Sequence, residues 1–434
     1  MELILIGAAS IFVTIAILWR ASIYSAAFLY STYLTLSIFA LFVFAYNADI
    51  NSRVFYIPRS MIHAGSAEAA YVYAFQVAIC ATSVFVRSPG KRTLKWSTDI
   101  THGVLGDIAI YAFVALLSLL TLWHALTIDW QKAIFTTSYL AMNDPVEMGI
   151  HSVVAGAFHG AMHIVLIATG PLLIYAATSR KYAACVILGA IFLYCFSYQV
   201  GSHSRIGGLA LIVLGGAMIF MMRRNRLTAA LPIALGALFY FGALVGRGSG
   251  EHGLSTIPRY FYLNEYRLIS DYYIVSVYTL FEGVLVTAQA SMISGDHPTI
   301  YKILSFSPLP GALDGFAAIR DSMQIRISVN VPIGSWSETL MFGPAYFAAL
   351  SAIVLMLVLL NAYIVHVVAP RIAIAFSMAT TFFLVFSNAY PLRNSLRYIL
   401  VLAIAHALAI VWIMRRGSSE AGIGGAYETG GRQG

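Results

Sequence analysis

The chain has 434 residues, of which 60% are apolar and only 10% are charged. A soluble globular domain carries about a quarter charged residues, so this composition excludes that class. Apolar segments of roughly 17 to 25 residues recur along the whole length, and each is long enough to cross about 30 Å of hydrocarbon as a helix. The sequence therefore predicts an all-α polytopic membrane protein.

Hydropathy and charge together predict about eleven transmembrane helices. In chain order they cover residues 3–19, 22–46, 67–86, 104–127, 153–177, 182–200, 206–221, 228–246, 346–367, 372–388 and 398–413. The segment 272–293 is also apolar, but it contains Glu282 and begins with several tyrosines. Tyrosine is enriched at the membrane–water boundary, so this segment is predicted to lie along the interface and not to cross.

The distribution of basic residues sets the orientation. Fourteen of the 26 lysines and arginines fall on one side, in short loops and in the C-terminal tail. The positive-inside rule assigns this side to the cytoplasm. The net charge of +8 is thus a topology signal and gives no reason to expect a nucleic-acid partner.

These assignments divide the chain into three parts. Residues 1–416 form a transmembrane domain, and residues 247–345 form one large external loop inserted within it. A loop of that length is usually functional. Residues 417–434 are rich in glycine and polar side chains and are predicted to be a disordered cytoplasmic tail.

The most unusual polar stretch is Gly201-Ser202-His203-Ser204-Arg205, which lies between two apolar runs. Ionisable residues at membrane depth cost roughly 2.5 to 3.5 kcal/mol and commonly mark a site. The Arg205 guanidinium suits a bidentate grip on a phosphate or carboxylate. A side chain that reaches outer lipid headgroups explains it equally well.

Histidines follow the start of the 153–177 span. His159 and His163 are four residues apart and therefore share one helix face. Zinc sites use such pairs, but a third ligand at a fixed spacing is absent from the sequence, so no metal is predicted. A polar stripe facing other helices and contacts to substrate hydroxyl groups both stay open.

The large external loop supplies further candidates. It carries His252, Arg259, Arg320 and Arg326 among many aromatic residues, and rings among polar groups suit the faces of sugars. An interfacial tyrosine belt with loop salt bridges accounts for the same residues. Near the end of the loop, Glu338 lies where it either caps a helix or acts as a general base.

Three features together resemble the Wzy-type oligosaccharide repeat-unit polymerases. They are the turn ending in Ser204-Arg205 at the outer start of a span, the long loop 247–345, and the stretch SWSETLMFG at 335–343. This family belongs, with O-antigen ligases and cell-wall glycan polymerases, to the membrane-embedded C-type glycosyltransferases. The resemblance covers roughly residues 20 to 415.

The resemblance implies a reaction on the periplasmic face of the bacterial inner membrane. A growing glycan moves from one undecaprenyl-diphosphate carrier to the sugar of another lipid-linked repeat unit, as in O-antigen or related surface polysaccharide synthesis. The diphosphate donor is already activated, so neither a cofactor nor a metal is expected, and a chain-length regulator is a candidate partner.

The resemblance also assigns roles to the candidate residues. Cations should stabilise the leaving diphosphate, and a carboxylate or histidine should take the proton of the acceptor hydroxyl. The diphosphate ligands are then Arg205, Arg320, Arg326, Arg393 and Arg397, and the catalytic bases are Glu338 and His252. Substrate contacts come from His203, His159, His163 and Arg259.

Two other functions stay open. An O-antigen ligase would share the donor and the arginines but transfer the glycan to lipid A-core, and ligases tend to use a histidine in the large loop, such as His252. A transporter or flippase of lipid-linked sugars belongs to a different class. It requires an inward path, whereas the polar residues cluster outside.

Overall fold

The structure is a computed structural model. It describes residues 2–20, 24–46, 59–86, 104–135, 141–221, 226–246, 251–261, 281–293, 297–309, 315–316, 319, 323, 326–328, 331–367 and 370–427. These residues are mainly helical. The helices are α1 (Glu2–Arg20), α2 (Ala26–Tyr46), α3 (Arg59–Ala64), α4 (Ser66–Ala81), α5 (Val104–Thr127), α6 (Trp130–Ile134), α7 (Val153–Thr178), α8 (Tyr182–Gly201), α9 (Arg205–Met221), α10 (Arg226–Gly246), α11 (281–290), α12 (Thr299–Ser305), α13 (Ser335–Phe342), α14 (Pro344–Val367), α15 (Pro370–Ala389) and α16 (Leu392–Tyr427).

Shorter elements complete the description. Three 3-10 helices cover Thr82–Phe85, Ala141–Asn143 and Leu254–Phe261, and strands β1 (Arg326–Ser328) and β2 (Val331–Pro332) pair in antiparallel fashion. The chain divides into two compact units. Unit 1 combines residues 1–96 with 277–434, and unit 2 comprises residues 97–276.

Each of the eleven segments predicted to cross the membrane lies largely within a helix. In the part of the chain that the structure describes, seven helices are long and apolar enough to cross: α1, α2, α4 with its 3-10 extension, α7, α8, α14 and the first part of α16. The apolar stretches within α5, α9, α10 and α15 are shorter. The helical membrane class is thus supported, whereas the count of eleven stays a prediction.

The core of unit 1 contains closed networks of polar side chains. The Tyr30 hydroxyl donates to the Gln76 carbonyl, the Gln76 amide donates to Asn388 at 3.1 Å, and the Asn388 amide donates to Tyr30 at 2.8 Å. All three side chains are fully buried. The ring ties α2, α4 and α15 together, which is how polar residues act between helices in an apolar environment.

A second polar network lies among α14, α15 and α16. The Asn361 carbonyl accepts from the Ala26 amide at 2.9 Å and from the Ser377 hydroxyl at 3.1 Å. His406 Nδ1 lies 2.7 Å from the Leu402 carbonyl, so it carries the proton, and Nε2 faces the Asn361 amide at 3.2 Å. The bonds fix a neutral histidine tautomer inside the bundle.

Helix α11 lies inside the protein. The segment 272–293 is predicted to lie along the interface, but all residues from Gly283 to Ala290 are buried within the protein. The protein therefore covers these eight residues, whereas the placement of the segment relative to the membrane stays a prediction. The physical reason is close packing: a Cβ on Gly65 would lie 1.8 Å from the Ala288 carbonyl oxygen, so glycine lets α11 approach the start of α4.

Unit 2 is built on α7, α8, α9 and α10. Helices α9 and α10 approach closely through Gly208 and Gly236, because a Cβ on either glycine would lie under 3 Å from the carbonyl oxygen of the other. Small residues at such crossings are typical of helices in membranes.

Helix α16 extends beyond its apolar part. It continues to Tyr427, so residues 417–427 of the predicted disordered tail are helical. Extending an existing helix needs no new nucleus, which allows glycine-rich residues to continue it. Residues 428–434 lie outside the described residues.

Candidate functional site

The structure describes the predicted site residues to different extents. Arg320 lies outside the described residues. Arg326 in β1 and Arg259 in the 254–261 3-10 helix have a described backbone, but their side chains lie outside the description. Their predicted roles therefore stay predictions.

The remaining candidates fall into two groups. Unit 1 contains Glu338, Arg393 and Arg397, and unit 2 contains Arg205, His203, His252, His159 and His163. The sequence places all of them at one outer site. The structure brings Glu338 to the start of the helix that carries Arg393 and Arg397, and it brings His203 next to His252.

Glu338 joins two elements of unit 1 that are far apart in sequence. Its Oε1 accepts from the Tyr301 hydroxyl at 2.9 Å, and its Oε2 accepts from the backbone amide of Leu392 at 2.7 Å. The side chain is only 5% exposed. Leu392 is the first residue of α16, whose leading amides lack intrahelical acceptors, so Glu338 caps this helix from α13.

Burial changes the acidity of Glu338. Loss of hydration raises the pKa of its carboxyl group from the ordinary 4.5 to about 7, although the Leu392 amide and the Tyr301 hydroxyl favour the ionised form. Burial, together with the same carboxylate, raises the pKa of the Tyr301 phenol. A carboxyl group that titrates near neutral pH suits a general base.

Arg393 and Arg397 begin the same helix that Glu338 caps. Arg393 donates to the carbonyl oxygens of Leu304 and Leu309, the latter at 2.6 Å, and Arg397 also donates to Leu309. Both guanidinium groups therefore hold the turn that follows α12. Arg393 is only 3% exposed, and its guanidinium carbon lies 4.2 Å from the centre of the Phe316 ring.

A column of rings connects this arginine to the glutamate. The rings of His297 and Tyr301 stack with centroids 5.0 Å apart, and those of Tyr301 and Phe316 stack at 5.5 Å. Phe342 meets the edge of the column, 5.8 Å from Tyr301. The Arg393 guanidinium lies over Phe316, so Tyr301 contacts both Glu338 and the ring that Arg393 covers.

In unit 2 the GSHSR turn links α8 to α9. His203 adopts a left-handed backbone conformation with φ of 49°, which is uncommon outside glycine and often marks a functional position. Its Nε2 lies 3.1 Å from the Glu251 carbonyl, and its ring lies 5.0 Å from that of His252. Both histidines are buried, and Arg205 is half-buried at the start of α9.

His159 lies in a polar group that the sequence analysis missed. His124 Nε2 is 2.9 Å from His159 Nδ1, and His124 Nδ1 is 2.6 Å from the Tyr194 hydroxyl. His163 is half-buried one turn further along α7. A histidine near the end of the apolar 104–127 span was the available signal, but only the fold pairs it with His159.

Among the described residues, no group of three or more histidine, cysteine, aspartate or glutamate side chains is placed to hold a metal ion.

No family model, curated protein or solved structure matches the chain. The fold defines a multi-helix protein with several helices able to cross a membrane.

Proposed function

We propose that the chain is a metal-independent membrane glycosyltransferase which polymerises undecaprenyl-diphosphate-linked repeat units. The reaction would take place on the periplasmic face of a bacterial inner membrane, in O-antigen or related surface polysaccharide synthesis. The resemblance of the 335–343 stretch and of the Ser204-Arg205 turn to the Wzy-type polymerases supports this proposal.

One observation carries the proposal furthest. Glu338, with a pKa raised to about 7, bonds the amide of Leu392, and Leu392 directly precedes Arg393. A weakly basic carboxylate thus lies beside a helix start that carries Arg393 and Arg397. Glycosyl transfer from a lipid diphosphate requires this pair of functions, a proton acceptor and cations for the departing diphosphate.

Each group would have a distinct task. The Glu338 carboxylate would take the proton of the acceptor hydroxyl as that oxygen attacks the anomeric carbon. The bond from the anomeric carbon to the diphosphate oxygen breaks, and the negative charge that remains on the diphosphate would be stabilised by Arg393 and Arg397, which would exchange bonds to the Leu304 and Leu309 carbonyls for bonds to phosphate oxygens. The arginines would supply the electrostatic stabilisation of the leaving diphosphate, so the proposed reaction requires no further cofactor.

An O-antigen ligase is the second candidate. Its supporting observation is His252, which is buried and lies against the ring of His203 in unit 2. In a ligase this histidine would be the functional counterpart of Glu338.

Deleting the gene and separating surface polysaccharide on a gel tests both candidates. Loss of the polymerase should leave a single repeat unit on lipid A-core, whereas loss of a ligase should leave no glycan there. An unchanged ladder after deletion would exclude both functions.

Complementation then tests the site. Arg393→Lys keeps the charge but loses the forked donor geometry, so we expect the protein to insert and the ladder to shorten or disappear. Arg20→Ala is the matched control, because Arg20 is exposed at the end of α1. A full ladder with Arg393→Lys and with Arg393→Ala would remove Arg393 from the site.

A further inference from the structure

We propose that Tyr301 is a positioning residue that holds Arg393 through two separate contacts, one polar and one aromatic. Its use in catalysis rests on the proposed function, since Arg393 must then act on the substrate. The positioning itself depends only on the contacts of Tyr301, which is 1% exposed in the core of unit 1.

The polar contact runs through Glu338. The Tyr301 hydroxyl donates to one carboxylate oxygen at 2.9 Å, and the other oxygen accepts from the Leu392 amide at 2.7 Å. A buried carboxylate with a single partner would be free to rotate about its terminal bond. With both oxygens engaged, its plane is fixed, and so is the first amide of the helix that carries Arg393.

The aromatic contact runs through Phe316. The Tyr301 ring stacks on Phe316 with centroids 5.5 Å apart and planes 26° apart, and the Arg393 guanidinium carbon lies 4.2 Å from the Phe316 centroid. His297 also stacks on Tyr301, with centroids 5.0 Å apart. The ring of Tyr301 therefore has two stacked neighbours, and a tilt of Tyr301 would displace the Phe316 ring that lies against Arg393.

Tyrosine is the residue type that serves both contacts. Phenylalanine would keep the stack and lose the donor, whereas a serine or glutamine would keep a polar group and lose the stack. The two contacts can thus be cut separately, by Tyr301→Phe for the polar one and by Phe316→Leu for the aromatic one.

The groups that face Glu338 make the polar contact sensitive to pH. They are the Tyr301 hydroxyl from α12 and the Leu392 amide from α16, with Arg393 following in sequence and His297 against the Tyr301 ring. Both donors favour the ionised carboxylate. Removing the Tyr301 donor should therefore move the protonation midpoint of Glu338 to higher pH.

Hydrogen–deuterium exchange of the full-length protein in detergent tests the proposal through peptides that contain Leu392. We would compare wild type, Tyr301→Phe, Phe316→Leu and Tyr346→Phe over pH 6 to 8.5, after correction for intrinsic exchange. Tyr346→Phe is the matched control, because Tyr346 packs 5.7 Å from Phe342 in the same cluster but bonds neither Glu338 nor Leu392.

We expect exchange at Leu392 to be about three- to tenfold faster in Tyr301→Phe than in the control. The pH midpoint at which protection of the Leu392 amide changes should be higher in Tyr301→Phe than in wild type, and it should be unchanged in Phe316→Leu. A local loss of packing would hydrate Glu338 and lower that midpoint, because burial is what raises its pKa. If Tyr301→Phe matches Tyr346→Phe in both rate and midpoint, Tyr301 does not position the helix start.

The polysaccharide ladder separates this inference from the proposed function. Altered exchange with a shortened ladder in Tyr301→Phe supports both. Altered exchange with a full ladder in the Arg393 variants supports the positioning role and overturns the use of Arg393 in polymerisation.

Discussion

Glu338→Gln should remove a pH dependence from the stability of the protein. The folded state holds the Glu338 carboxyl group at a pKa of about 7, whereas its ordinary value is 4.5. Between these values the folded form binds more protons than the unfolded form, so stability is greatest at low pH and is lost as pH rises through about 7. A carboxyl pKa of about 7 in the folded state and 4.5 in the unfolded state implies a loss of roughly 2 to 3 kcal/mol between pH 5 and pH 8.

Thermal unfolding in detergent, followed by tryptophan fluorescence between pH 5 and pH 8, measures this change. The wild-type midpoint should fall by several degrees relative to Glu338→Gln as the pH rises. Glu68→Gln is the matched control, because Glu68 is exposed on α4 and the substitution should leave the wild-type slope intact. Parallel wild-type and Glu338→Gln curves would show that the carboxyl group is not buried in the way that the structure describes.

Two further substitutions test the packing of unit 1. Gly65→Ala would place a methyl group 1.8 Å from a backbone carbonyl oxygen of α11, so the yield of folded protein should drop sharply. The control Gly160→Ala adds a methyl group in open space and should keep the wild-type yield, and equal yields of the two variants would contradict the close approach of α11. Asn361→Leu removes the hydrogen-bond partner of buried groups, among them His406, at a cost of about 1–3 kcal/mol each, so the melting temperature should fall by several degrees. The control Ser351→Ala removes a hydroxyl that bonds a carbonyl of its own helix and should leave the melting temperature unchanged. Similar melting curves for the two variants would refute the network.

Helix positions were predictable because the apolar runs are long and uninterrupted. The run from 346 to 367, for example, lies within α14, which spans Pro344–Val367. The burial of residues 283–290 could not be predicted, because hydropathy cannot distinguish a helix buried by protein from one at a lipid surface. The contact that decides it, between Gly65 and Ala288, joins residues more than two hundred positions apart.

The sequence indicated which types of residue form the candidate site, but it could not indicate which residues contact one another. Glu338 stood out as a carboxylate near a helix start, and both a capping and a catalytic role were open. The structure shows that it caps α16 and not its own helix, a fact set by the pairing of Glu338 with Leu392. His124 and Tyr301 carried no spacing signal, because their partners come from other helices.

The division of the chain has a consequence for synthesis. Asn388, which completes the polar ring of unit 1, follows Gln76 by 312 residues, and all of unit 2 is made in the interval. At ribosomal speeds of 5 to 20 residues per second that interval lasts roughly 15 to 60 seconds. The N-terminal helices must remain in the membrane as an incomplete assembly for that time, so a ribosome that stalls before residue 388 leaves a product that cannot close the ring.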